Sequence, residues 1–230
     1  MNFIVIGLGI TIIVLLYLLY TYYTTSSKAL VSTASLKVSN PSITSISEST
    51  STRYAYGIWL YVNSWDNTNT KTIFERSNNI KLFLGKTTPS LYCDIYMSDG
   101  TTKSILVTDN YPIQRWVHII LSLDNQFLDC YLDGKLIKSS RLFGTSKSNT
   151  AVPATPPGDS TPITIGSSST QFDAVVSKFV RWTKPMDPET AWKTYLSSNT
   201  TQMLGGSMNS YSAKLNILQN NASYAKLQLF

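Results

Sequence analysis

The chain has little of the side-chain chemistry that enzymes use: one histidine, two cysteines and three glutamates in 230 residues. A single histidine, His118, cannot supply a catalytic relay that the spacing would support, and it lies inside an apolar stretch where a hydrogen-bonded structural residue is expected. Zinc needs three or four ligands, which one histidine and two separated cysteines do not provide. Cys93 and Cys130 are too few for a disulfide-stapled scaffold; both fall on the apolar side of predicted strands and read as small, reduced core residues. No phosphate loop, dinucleotide fingerprint or redox cysteine pair is present, and no cofactor is expected.

Charge is also scarce, at 14% of residues, with a net +6. The bases are scattered, with no Lys/Arg run and no basic strip interleaved with aromatics. Nucleic acid is therefore not expected as a partner. A basic surface near anionic lipid or acidic proteins accounts for the balance. Calcium would need six to eight oxygens. The loop candidates Asp66, Asp99, Asp109, Asp124 and Asp159 are dispersed and read as turn formers.

Charge is absent altogether from the N-terminus. Residues 3–23, FIVIGLGITIIVLLYLLYTYY, are uncharged and mostly apolar. At about 1.5 Å per helical residue they reach about 30 Å, the depth of a bilayer core. The expected lipid-facing anchor includes Phe3, Ile4, Ile6, Leu8, Ile10, Ile12, Leu15, Leu18, Tyr20 and Tyr23. Tyr17, Tyr20, Tyr22 and Tyr23 crowd the end where an aromatic belt would sit. A cleaved signal peptide is the rival reading. It is disfavoured because no base precedes the run, which exceeds the usual h-region of about 7–15 residues. No clear small-x-small cleavage site follows either, although Ser32–Ser35 is small enough to keep the rival open. The first charges, Lys28 and Lys37, follow the run and place residues 24–230 on the cytosolic side of a single-pass topology. A luminal domain would instead permit a Cys93–Cys130 disulfide and glycans at Asn199 and Asn221.

Residues 26–52 are more than half Ser and Thr. They read as a flexible stalk, or, at Ala34–Val38, as a first edge strand. From Arg53 the pattern turns to strands. Tyr54–Val62 is apolar on both alternating faces, as a covered central strand would be. Short strands are expected at Thr72–Arg76, Ile80–Leu84, Leu91–Met97, Ser104–Thr108, Trp116–Asp124, Phe127–Leu132, Lys135–Ser139, Ile163–Ile165 and Ala174–Trp182. Ser98-Asp99-Gly100 and Asp133-Gly134 supply hairpin turns. Residues 142–161 read as one long loop. A helix is expected from Pro188 to about Leu196, capped by Asp187. Many strands with one helix argue for an all-β sandwich. The expected division is an anchor at 1–25, a stalk at 26–52, the sandwich at 53–197 and a tail at 198–230.

The stretch RWVHIILSLDNQFLDCYLDGKLIKSS resembles the concanavalin A-like, laminin G-type jelly roll. Trp116, His118, Tyr131, Asp133, Gly134 and Lys135 carry the likeness. Gly57–Val62, Ile163–Gly166, Phe172–Trp182 and the helix agree with it, so the resemblance covers about residues 53–197. It implies fold more than function. Related glucanases carry a Glu-x-Asp-x-x-Glu strand. Here Tyr92-Cys93-Asp94-Ile95-Tyr96 has one acid, and Glu48, Glu75 and Glu189 lie elsewhere, so no enzymatic activity is expected. Laminin G-type domains often bind sugars, for which Trp65, Tyr92 and Tyr111 are platform candidates, although core packing is the plainer use of these rings.

Anchor, Ser/Thr-rich stalk, jelly roll and tail together resemble virion proteins of large icosahedral DNA viruses with an internal membrane. The leading expectation is a non-enzymatic structural protein docking on other, capsid-type proteins and tying a membrane to a shell. Tyr211, Leu215, Ile217, Leu227, Leu229 and Phe230 are the expected partner-binding residues, by strand addition. The alternative is a displayed, lectin-like attachment protein whose partner is a glycan.

Overall fold

The computed structural model describes residues 3–24, 27–143, 150–204, 214–219 and 222–228, with side chains for 7–19, 27–143 and 150–199. The N-terminal run forms helix α1, Phe3–Thr24. Its described apolar side chains, Leu8 to Leu19, are 43–67% exposed. Among the described residues no helix is long and apolar enough to cross a membrane. The described side chains of α1 cover residues 7–19, about 20 Å, whereas its 22-residue backbone extends about 33 Å.

Two antiparallel sheets form the sandwich. The strands are β1 (Ser27–Ser35), β2 (Arg53–Val62), β3 (Lys71–Arg76), β4 (Ile80–Leu84), β5 (Leu91–Tyr96), β6 (Thr102–Thr108), β7 (Trp116–Asp124), β8 (Phe127–Leu132), β9 (Lys135–Arg141), β10 (Ile163–Ile165) and β11 (Ala174–Trp182). One sheet has the order β1-β11-β2-β7-β8-β9, the other β10-β3-β4-β5-β6. Alternate residues fill the space between them: Tyr54, Tyr56, Ile58, Leu60 and Val62 from β2 meet Ile80, Leu82 and Leu84 from β4 and Leu91, Cys93 and Ile95 from β5. Positive-φ residues Asn78, Asn125 and Asp133 with Gly134 turn the hairpins.

The stretch expected as a stalk is part of this sandwich. β1 pairs with β11 from Ser27↔Trp182 to Ser35↔Val175. Leu36 and Ile46 are buried in the core, and Ile43 bridges Ile163. Ser27, Ser32, Thr33 and Ser35 belong to this edge strand, where Ser177 Oγ donates to the Ser32 carbonyl at 2.9 Å. Only two residues separate α1 from β1.

The second helix, α2 (Pro188–Leu204), runs eight residues beyond the expected end. No glycine or proline interrupts it before Gly205-Gly206. Asp187 caps it through the Thr190 N–H at 2.9 Å. It lies on the outer face of the six-stranded sheet, where Ala55, Ile120, Tyr131, Met186 and Ala191 form a second, small core. The long loop is not wholly irregular: Pro153 bridges Met97, and the Ala154 N–H donates to the Tyr96 carbonyl at 3.0 Å. In the tail, β12 (Lys214–Gln219) and β13 (Ala222–Gln228) pair with each other.

Buried arginines hold the crossing loops at one end of the sandwich. Arg76 donates to the carbonyls of Ser49, Pro157, Gly158 and Thr161. Arg181 donates to those of Ser47 and Glu48 and lies over the rings of Tyr54 and Tyr56. Satisfying several carbonyls at once is what makes a buried guanidinium tolerable.

Candidate functional site

The residues singled out for chemistry are mostly spent on structure. His118 is 2% exposed, and its ring stacks on Trp59 at 4.9 Å between centroids. Its Nδ1 has no partner, contrary to the hydrogen-bonded side chain expected, and the bond made is from its backbone N–H to Asp133 Oδ1. Burial, helped by nearby Lys178, lowers its pKa to about 4, so the ring is neutral at pH 7. Cys93 and Cys130 are free and buried. Burial pushes the Cys130 thiol up to about 12 and raises Cys93 well above its ordinary value, which keeps both as unreactive thiols.

The calcium candidates do not converge; no metal-holding group of three acids, histidines or cysteines occurs among the described residues. Asp66 and Asp99 accept from the N–H and hydroxyl of Thr68 and Thr101, two residues on, as turn-forming aspartates do. Asp124 pairs with Arg53 at 2.8 Å.

Of the three platform candidates, Tyr111 is buried and Trp65 is covered by the Lys71 ammonium, 4.4 Å from its ring centre. Tyr92 alone lies on an open face. The expected anchor residues Phe3, Ile4, Ile6, Leu8, Ile10, Ile12, Leu15, Leu18, Tyr20 and Tyr23 all fall in α1. Among the tail residues, Leu215 and Ile217 lie in β12 and Leu227 in β13, while Tyr211, Leu229 and Phe230 lie outside the described residues.

The open face belongs to the five-stranded sheet. On β4 and β5, residues alternate with the buried set and turn outward: Lys81 and Phe83, then Tyr92, Asp94 and Tyr96. Cross-strand register places Glu75, Lys81, Asp94 and Ser104 in one row, and Phe83, Tyr92 and Leu106 in the next. Phe83 and Tyr92 stack at 5.3 Å with ring planes 13° apart. Beside them Glu75, Arg76, Asn78, Asn79, Lys81, Asp94, Tyr96 and Thr102 enclose a pocket of about 130 Å³.

The polar groups of this pocket divide into those already paired and those left over. Lys81 Nζ sits 3.0 Å from Glu75 Oε2, and Arg76 is committed to backbone carbonyls. Asn79 is 3% exposed; its Nδ2 donates to the Tyr54 hydroxyl at 2.9 Å, but its Oδ1 has no partner. Asp94 Oδ1 is likewise buried and unpaired. A buried acceptor without a donor costs free energy, on the order of 1–3 kcal/mol. Both belong to residues that line this one pocket.

A larger cleft, about 680 Å³, lies across the sandwich between the starts of β2 and β8, the end of β7 and the β11–α2 connection. Its polar lining is largely satisfied internally: Arg53 pairs with Asp124, the Tyr131 hydroxyl donates to the Met186 carbonyl, and the Met186 N–H donates to Ser122 Oγ. The smaller pocket is therefore the better candidate. Sequence reading missed Glu75, Asn79, Lys81, Phe83 and Tyr96 there. The outward alternation Tyr92-x-Asp94-x-Tyr96 was the one visible signal.

No curated protein sequence matches the chain. Among solved structures, the chain resembles the ligand-binding domain of botulinum neurotoxin serotype D in complex with N-acetylneuraminic acid. The TM-score is 0.55 at 13% identity, covering 74% of this chain and 45% of that one. The receptor-binding domain of botulinum neurotoxin D gives 0.51 at 15%, covering 67% and 39%. That of type G gives 0.50 at 14%, covering 65% and 39%. The chain thus spans less than half of each neighbour, and at such identities the likeness is one of fold. The model of the concanavalin A-like lectin/glucanase superfamily matches residues 32–191. That match begins inside β1, in agreement with the strand pairing, and extends over more than two thirds of the sequence: the chain belongs to the concanavalin A-like lectin/glucanase superfamily.

Proposed function

We propose that the protein is a membrane-anchored, non-enzymatic recognition module that binds a glycan on the open face of its five-stranded sheet. The observation that carries this reading is Asp94, a carboxylate with an unpaired buried oxygen between outward Tyr92 and Tyr96. Hydroxyl donors with an apolar ring face are what such a carboxylate and its flanking aromatics suit. The complex of one neighbour with N-acetylneuraminic acid is in keeping with this class of ligand.

The anchor is α1. Uncharged, 22 residues long and exposing leucines and isoleucines, it is stabilised by lipid far better than by water. The side of the membrane is set weakly by Lys28 and Lys37. Lys28 donates to Ser45 and Lys37 pairs with Asp173 at 3.0 Å, so both belong to the folded domain rather than to a free juxtamembrane cluster. Display on the non-cytosolic side is compatible with that pair. Hydrolysis of a bound sugar would call on Glu75 as a proton donor beside Asp94. Glu75 is already engaged by Lys81 at 3.0 Å, and Lys81 stands between it and Asp94 in the cross-strand row, which disfavours that role.

A second reading keeps the protein structural: a minor capsid component, docking on neighbouring proteins and tying an internal viral membrane to the shell. It draws on β9, an edge strand of the six-stranded sheet with Leu136 and Ile137 nearly half exposed, which offers unpaired backbone groups to a partner strand. A glycan array probed with the full chain in lipid nanodiscs separates the two. Retention that free sugar competes away supports the recognition module; no retention by any glycan overturns it in favour of protein docking.

A further inference from the structure

Resting on the second, protein-docking reading and independent of the glycan one, we infer that β9 receives an acidic, extended segment of another protein as a seventh strand of its sheet. The edge is open. β9 is the last strand of the six, so the backbone groups on its far side have no ladder partner among the described residues, and Lys135–Ser139 are all exposed. Leu136 and Ile137 are 46% and 47% exposed, and Phe127, on the adjoining strand, is 51% exposed. Charge says what fits there. Lys135, Lys138 and Arg141 lie on β9, which carries no acid. Lys103 of β6 joins them, its Nζ donating at 3.0 Å to the Phe143 carbonyl just past the end of β9. None of these four cations is in an ion pair among the described residues. On β8 and its turns, Asp124 pairs with Arg53 and Asp133 with Arg115, which leaves Asp129, one strand in and opposite Ser139. The Arg141 guanidinium lies over the rings of Phe143, at 4.4 Å, and Phe127, at 5.9 Å, and so is oriented before a partner arrives.

The same charges argue against the occupants nearest to hand. A second copy added antiparallel over the whole strand would set Lys138 against Lys138 and Lys135 against Arg141, and like charges directly opposite are destabilising. The chain's own tail, residues 198–230, carries Lys214 and Lys226 and no acid. An anionic lipid surface would meet the cations but leave the backbone edge unused. Lysines on an edge also keep sheets from pairing indiscriminately. Leu136 and Ile137 beside them work against that purpose and suit the aliphatic positions of an incoming strand. A segment in which acids alternate with aliphatic residues supplies both complements.

The test pans a random heptapeptide library against the full chain in phosphatidylcholine nanodiscs and titrates the selected peptides by fluorescence anisotropy. The expected peptides alternate acids with aliphatic residues. Lys138→Glu, at an exposed position and checked for an unchanged thermal melt, should weaken them tenfold or more. Peptides with lysine in place of the acids should recover binding to that variant. N-methylation of one alternate set of peptide backbone nitrogens should abolish binding while the other set tolerates it, as addition to a sheet edge requires. Selected peptides without acids overturn the acidic partner but leave strand addition standing. Binding indifferent to Lys138→Glu and to N-methylation, or no selected peptide at all, overturns strand addition at β9 and the support the docking reading draws from it. Capture of phosphatidylserine vesicles, or of a second, separately labelled nanodisc, that Lys138→Glu removes while no peptide binds overturns the inference in favour of lipid or of a second copy.

Discussion

The six-stranded sheet packs on the sandwich core with one face and is partly covered by α2 on the other, whereas the five-stranded sheet leaves its outer face to solvent. The consequences appear residue by residue. Beneath α2, outward positions are close-packed: Ala55, Gly57 against the Trp182 ring, and Trp59, His118 and Tyr195 in a cluster of three rings. On the open sheet the same positions hold Glu75, Lys81, Phe83, Tyr92 and Asp94. The only histidine lies on the covered side, and the unpaired carboxylate oxygen on the open side. The contrast teaches that aromatic content alone does not identify a binding face in this fold. Buried unpaired groups occur on both sides, His118 Nδ1 on the covered one and Asp94 Oδ1 on the open one, and what differs is the exposure of the residues that carry them.

If the covered face is structural, its substitutions should cost stability and spare binding. The largest effect is expected for Trp59→Ala, which empties the stack with His118 and Tyr195. It should lower unfolding free energy by about 3–5 kcal/mol in urea titrations, with sugar titration heats unchanged under native conditions. A loss of binding at full stability would break the comparison.

Acid sensitivity should also originate on the covered face. His118 has its pKa lowered to about 4, against 6.5 when unfolded. Between those values the unfolded chain takes up a proton that the folded chain refuses. The contribution is therefore full above pH 6.5, erodes as pH falls, and is gone near pH 4, for a total of about 3 kcal/mol at most. His118→Phe should flatten the stability profile across that window. An unchanged slope would mean that the carboxylates alone set acid sensitivity.

Next comes Gly134→Ala. Gly134 has φ +75°, and an added Cβ would meet Trp192 at 2.8 Å and Tyr195 at 2.9 Å. Strain and displacement of α2 together should cost about 2 kcal/mol, read as a lower melting temperature. The smallest stability effect belongs to the open face. Tyr92→Ala, on a half-buried position with one stacking partner, should cost about 1 kcal/mol or less while removing sugar binding.

How much of this was legible depended on whether the signal lay within one strand or between strands. β7 and β8 occur at the expected residues because each carries a continuous apolar run bounded by a hairpin turn. β1 was read only as an alternative, at Ala34–Val38 rather than Ser27–Ser35, because an edge strand needs few apolar residues: Leu30, Val31 and Ala34 pack against the core, and Ser and Thr suffice for the rest. α2 was read eight residues short because its polar second half lacks a period, although no breaker precedes Gly205. The candidate site was mostly invisible, since Glu75, Lys81 and Asp94 come from three strands and meet only through register. A lone acid in Tyr92–Tyr96 argued against sugar chemistry on one strand. The neighbouring carboxylate arrives from β3.

The short link between α1 and β1 has a mechanical meaning. A pull on the helix would enter the sandwich at Ser27, the first residue of an edge strand. A pull directed along β1 would load the β1–β11 ladder in shear, its hydrogen bonds sharing the force from Ser27↔Trp182 to Ser35↔Val175 rather than peeling open one after another. Were α1 held in a membrane and a ligand on the five-stranded sheet, as proposed, tension between them would pass through this ladder.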